Sequence, residues 1–198
     1  MESLSRSCIL AASACLMATT ACANDDNALL LADSLLVTPC TGEQERLFEP
    51  FRFQADFLRW YNNGKTGFVE MRKGFRAATM SDAVYLEVTD IGKLKGILDE
   101  TPDAVIELQS GLVRISLVLA AACPDGNQPM VAGPGLVTFD SFGNHMDGTI
   151  SGSASFDLFD GRTIGDPDPT PLARNAFLTF SMTVRRGPPY QEFTNQAN

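Results

Sequence analysis

Thr149-Ile150-Ser151-Gly152-Ser153-Ala154-Ser155-Phe156-Asp157-Leu158 alternates polar with apolar or small side chains for ten residues. Side chains leave a strand with a period of two. Ile150, Gly152, Ala154, Phe156 and Leu158 therefore share one face, and the serines with Thr149 and Asp157 take the other. A helix would scatter the same apolar side chains round its circumference. The pattern recurs on both sides of this segment. Leu178, Phe180, Met182 and Val184 alternate with Thr179, Ser181 and Thr183. Val113, Ile115, Leu117, Leu119, Ala121 and Cys123 line one face of a long strand. Val84, Leu86 and Val88 alternate with Tyr85, Glu87 and Thr89, and residues 136–139 read as a further short strand.

Toward the N-terminus, Phe51, Phe53, Ala55 and Phe57 alternate with Arg52, Gln54 and Asp56, which predicts one half-buried strand. Residues 29–37 are apolar apart from Asp33 and Ser34 and read as another, and residues 42–47 suit one helical turn. Ile91, Leu94 and Leu98 have helical spacing, but Gly92 and Gly96 weaken it. With no long amphipathic helix to cover the strands, sheet on sheet is the expected solution. The fold class predicted is all-β: an antiparallel β-sandwich of about eight strands with little helix, and a barrel as second choice. The 198 residues, 44% hydrophobic with 13 Phe, argue for one packed domain. No repeat or linker divides it.

The first residues carry a different message. One cation, Arg6, precedes an apolar or small run over residues 9–18, followed by Thr19-Thr20-Ala21-Cys22. This is the pattern of a secretory signal, and the run is too short to span a bilayer. Its end resembles the lipobox of bacterial lipoproteins, with small Ala21 before Cys22 and Thr19 where that family usually has Leu. The resemblance implies that Cys22 is acylated and becomes the first residue of the mature chain. It further implies a lipid-anchored envelope protein, with Ala23 after the cysteine favouring the outer membrane over the inner. Cys15 leaves too short an apolar run before it. Cleavage after Ala23 is the alternative, and it gives a secreted protein. The expected organisation is a signal over residues 1–21, a tether over 22–27, the domain over 28–187 and a loose tail over 188–198.

Export removes Cys8 and Cys15 and occupies or removes Cys22, which leaves Cys40 and Cys123 as the expected disulfide in an oxidising compartment. It would close a loop of roughly 80 residues, worth about 4 kcal/mol by chain entropy. Residues 1–21 carry one acid, Glu2, and one base, Arg6, so their loss leaves the net charge at −9. An acidic chain suits neither nucleic acid nor an anionic surface that needs basic patches.

Motifs for chemistry are sparse. Gly64-Lys65-Thr66 ends like a phosphate loop, but Arg59 stands where that motif needs glycine. His145 is the only histidine, in a turn-rich segment with Ser141 and Asp147, and Ser141 is not in a nucleophile elbow. Glu70 and Glu87 lie on polar strand faces, where solvated surface is the plain expectation. Asp157, Asp160, Asp166 and Asp168 surround a Gly/Pro-rich loop and form a speculative Ca2+ site, with Arg162 among them. No other cofactor is expected.

The hairpin around Asn62-Asn63-Gly64 gives the candidate contact surface. A three-residue loop would pair Tyr61 with Lys65 and set Phe57 opposite Val69. Trp60, Leu58 and Phe68 would then share the outer face as a platform for a glycan or an envelope protein. The function expected is a non-catalytic envelope lipoprotein, a binding or assembly module. The alternative is a hydrolase with scattered acidic residues.

Overall fold

The computed structural model describes residues 26–37, 45–73, 81–123, 126–163 and 165–184, with the backbone alone at 121–123 and 126–128. The strands are β1 (Asn27–Ala32), β2 (Leu35–Val37), β3 (Arg46–Phe48), β4 (Phe51–Gln54), β5 (Phe57–Asn62), β6 (Gly67–Arg72) and β7 (Ala83–Val88). Helix α1 (Ile91–Glu100) follows, and then β8 (Ile106–Glu107), β9 (Val113–Cys123), β10 (Gly126–Phe142), β11 (Thr149–Asp160) and β12 (Ala173–Thr183). The fold is mostly β and antiparallel, as the alternation requires.

The layering differs from the expected sandwich. One continuous sheet runs β4-β1-β12-β11-β10-β9-β7-β6-β5, and β8 joins it beside β10. It is a strongly curled half-barrel with a separate small hairpin, β2-β3. The physical reason lies in the connections. From β9 to β12 each strand pairs with the next one along the chain, so no crossover divides the strands into two layers. Twist accumulating across so many neighbours curls the sheet instead.

The two ends of the path, β4 and β5, are consecutive in the chain. Between them Ala55 N–H donates to Ala28 O of β1 at 2.9 Å, and Asp56 N–H donates to Arg72 O of β6 at 2.7 Å. This corner links both edges of the curl. It also corrects the expected single strand from Phe51 to Phe57. Phe51 and Phe53 are buried, the alternation breaks at the corner, and Phe57 emerges exposed.

Other boundaries shift as well. The apolar run 29–37 divides into β1 and β2 at Asp33-Ser34, and Asn27, expected in the tether, begins β1. Residues 46–48, partly assigned to a helical turn, are strand β3 paired with β2. The weak helix is real: Asp90 caps it by accepting from Lys93 N–H at 2.9 Å, and Ile91 and Leu94 are buried. One good N-cap and two core side chains outweigh two glycines.

The core lies inside the curl. Leu30, Met71, Leu86, Leu94, Leu117, Met130, Ile150, Leu158 and Leu178 are fully buried. Gly152 sits where a Cβ would meet Thr138 O at 2.1 Å, so glycine lets β10 and the ring of Phe180 approach β11. An aromatic chain crosses the interior through edge contacts: Phe180 to Phe139 at 5.8 Å, Phe139 to Phe142 at 5.4 Å, and Phe142 to Trp60 at 5.8 Å.

Candidate functional site

The β5-β6 hairpin pairs Asn62 with Gly67, Trp60 with Val69 and Leu58 with Met71. Its loop is held by asparagine side chains. Asn63 Oδ1 accepts from Lys65 N–H at 3.0 Å and Thr66 N–H at 2.8 Å, and Asn62 Oδ1 accepts from Gly64 N–H at 3.2 Å. These bonds lengthen the turn beyond the expected three residues, and the odd change in register reverses the faces. Trp60 and Leu58 therefore point inward with buried Val69 and Met71, while Phe68 shares the outer face with Tyr61. The three residues of the expected platform are not together.

Trp60 lies over Gly67, where an added Cβ would sit 2.0 Å from its Cη2. The ring is half-buried, and its Nε1–H is buried with no acceptor among the described residues. On the other face Glu70 and Glu87 lie on adjacent strands, and Glu70, with a side chain 13% exposed, is largely covered where solvated surface was expected. Glu70 meets Arg72 and, at 3.9 Å, Arg59, and Glu87 meets Arg114 at 3.7 Å.

The four aspartates of the candidate Ca2+ loop do not converge. Asp160 is buried and takes Arg162 Nε at 2.9 and 3.1 Å, together with Arg162 N–H at 2.9 Å. The hydrogen bonds that the guanidinium donates to Asp160, aided by the carboxylate charge, raise its pKa above the ordinary value against a smaller effect of burial. Asp157, on the opposite face of β11, accepts from Asn175 N–H at 2.9 Å. Asp166 and Asp168 are exposed. Among the described residues no group of three or more His, Cys, Asp or Glu could hold a metal.

His145 Nδ1 is 2.9 Å from Met146 O, and Ser141 Oγ donates to Thr149 O at 3.0 Å, so these two side chains do not form a nucleophile–base pair. Lys65 and Thr66 belong to a hairpin that leads into a strand, not into the helix a phosphate loop needs. Cys22, Cys40, the side chain of Cys123 and the expected tail lie outside the described residues.

The structure exposes apolar side chains that the sequence patterns passed over. Leu31 is 38% exposed, Phe177 45% and Leu136 46%. Register places Leu31 opposite Phe177, Phe177 opposite Ser155, and Ser155 opposite Leu136, so they form one row on the outer face of β1, β12, β11 and β10. A signal was present: Leu30-Leu31, Leu136-Val137 and Phe177-Leu178 are adjacent apolar pairs in alternating strands, and one member of each must face out. On β3, Leu47 and Phe48 are exposed too. The chain matches no protein-family model, no curated protein and no solved structure among those compared.

Proposed function

We propose that this chain is a lipid-anchored protein of the bacterial cell envelope, held at the outer membrane through Cys22, whose curled sheet is a non-catalytic contact module for another envelope component. One observation carries the reading: exposed apolar side chains gather on the outer sheet face as the row Leu31, Phe177 and Leu136. Leu31 and Phe177 are direct neighbours and exposed Ser155 separates them from Leu136; apolar surface left on a sheet face in this way marks a contact site. The acids offer no comparable convergence, since Glu70, Glu87 and Asp160 are each met by arginine.

The test uses a photo-crosslinking residue in place of Phe177 or Leu136 in cells, with Asn27 as control position. A discrete adduct from the row and none from Asn27 is expected, and Leu31→Asp should abolish it. Cys22→Ala should move the protein from the membrane to the soluble fraction. Equal labelling from all positions, or a wild-type protein found soluble, would overturn the proposal.

A further inference from the structure

We infer that the domain stands on the membrane by one particular end, the one formed by the start of β1, the loop 143–148 and the β5-β6 hairpin, and that this end contacts the lipid headgroups. The inference rests on the anchor proposed above. Four residue steps separate Cys22 from Asp26, so a fully extended chain places Asp26 within about 14 Å of the acylated sulfur. Asp26 is fixed to the domain, because its Oδ1 accepts from Thr183 N–H at 2.8 Å. The loop 143–148 is fixed beside it: Asp147 N–H donates to Val184 O and Val184 N–H to Gly148 O, both at 2.8 Å. The Trp60–Phe142 contact and the bond from Ile91 N–H to Lys65 O bring the hairpin and the start of α1 to the same end.

This end has the chemistry of an interfacial contact. Met146 at the loop tip is 45% exposed between exposed His145 and Asp147, and exposed Lys65, Lys93 and Lys95 stand at the same end with Asp26 and Asp90. An exposed methionine with ammonium groups near it can enter a headgroup layer about 5–7 Å deep, the lysines meeting lipid phosphate. The opposite end lies at the far side of the sheet. It is built by β2, β3 and the segment after β11, joined where Leu36 N–H donates to Leu172 O. There exposed Asp33, Glu45, Glu49, Asp166 and Asp168 stand among exposed Arg46, Arg162 and Arg174, so the reach of the tether and not charge decides between the ends. That end lies about 33 Å away along β12, beyond the reach of the tether. The row Leu31, Phe177 and Leu136 then faces sideways, clear of the lipid.

Trp60 is the only tryptophan, so Trp60→Phe provides a silent background for a single reporter. Met146→Trp, Phe177→Trp and Phe48→Trp are each made in it, and the full lipidated chain is placed in phosphatidylethanolamine–phosphatidylglycerol vesicles containing brominated lipid. Flotation reports anchoring independently of fluorescence. The expected result is about two-fold quenching with a blue shift at position 146 and no change at 177 or 48. Quenching at 177 means that the domain lies on its side, and quenching at 48 that it is inverted; either overturns the inference. Flotation with no quenching at 146 also overturns it and leaves the anchor standing. Failure to float removes both.

Discussion

Replacing Gly67 with alanine tests the inward face of the hairpin more sharply than removing Trp60 alone. A Cβ at position 67 would lie 2.0, 2.5 and 2.9 Å from Cη2, Cζ2 and Cζ3 of Trp60, its three nearest neighbours. Carbon atoms rest at about 3.5–4.0 Å, so the indole must move by roughly 1.5 Å, which disturbs its edge contact with Phe142. Overpacking of this order costs about 1–3 kcal/mol. Trp60→Ala alone should cost about 2–3 kcal/mol, below the range for a fully buried aromatic because the ring is half-buried. In the Trp60→Ala background the obstructing atoms are gone, and Gly67→Ala should become neutral or stabilising by about 0.4–1 kcal/mol, since alanine restricts the unfolded chain. The double-mutant cycle should therefore show a coupling of about 1–4 kcal/mol. Urea unfolding followed by far-ultraviolet circular dichroism measures all four proteins without relying on the tryptophan. Equal costs for Gly67→Ala in the two backgrounds would refute the placement of Trp60 over Gly67, and with it the inward orientation of β5.

Three further outcomes are expected. Asp90→Ala removes the cap on Lys93 N–H and should cost about 1 kcal/mol, read as a fall of about 2–4 °C in Tm; an unchanged Tm would show that α1 does not depend on its cap. Asp160→Ala deletes a buried, charge-assisted contact and should cost about 1.5–3 kcal/mol, whereas Asp168→Ala, at an exposed site, should stay within about 0.5 kcal/mol by the same denaturation assay. Millimolar Ca2+ should leave Tm unmoved because the aspartates do not converge, and a concentration-dependent rise in Tm would be the signature of a site.

The strands were legible wherever one face is buried and the other wet, as from Thr149 to Leu158 and from Val113 to Leu119, because period two records burial directly. The alternation failed at Ala55-Asp56, where the chain turns from one sheet edge to the other and Phe57 changes face without any glycine or proline to mark it. It failed again in the hairpin. Loop length there is set by the side-chain bonds of Asn62 and Asn63, and one residue of register decides whether Trp60 meets water or Val69. The curl itself was hidden, since a sandwich and a half-barrel ask the same alternation of every strand. The candidate sites suffered for a related reason. Asp157 and Asp160 are close in the chain, but their separation of three residues sends them to opposite faces of β11.

The pairing of β1 with β12 has a consequence for the order in which the sheet is completed. Asn27 registers with Ser181 and Leu31 with Phe177, so the first of the described strands to be synthesised waits for the last. Until then β1 and β11 each present an open row of backbone amides, and the contact between them spans nearly the whole chain. Contacts of such high order form slowly. A nascent or truncated product ending before Ala173 would remain a sheet with exposed edges, prone to pairing with its neighbours. The geometry that completes the sheet thus also times its completion, after β12 has been made.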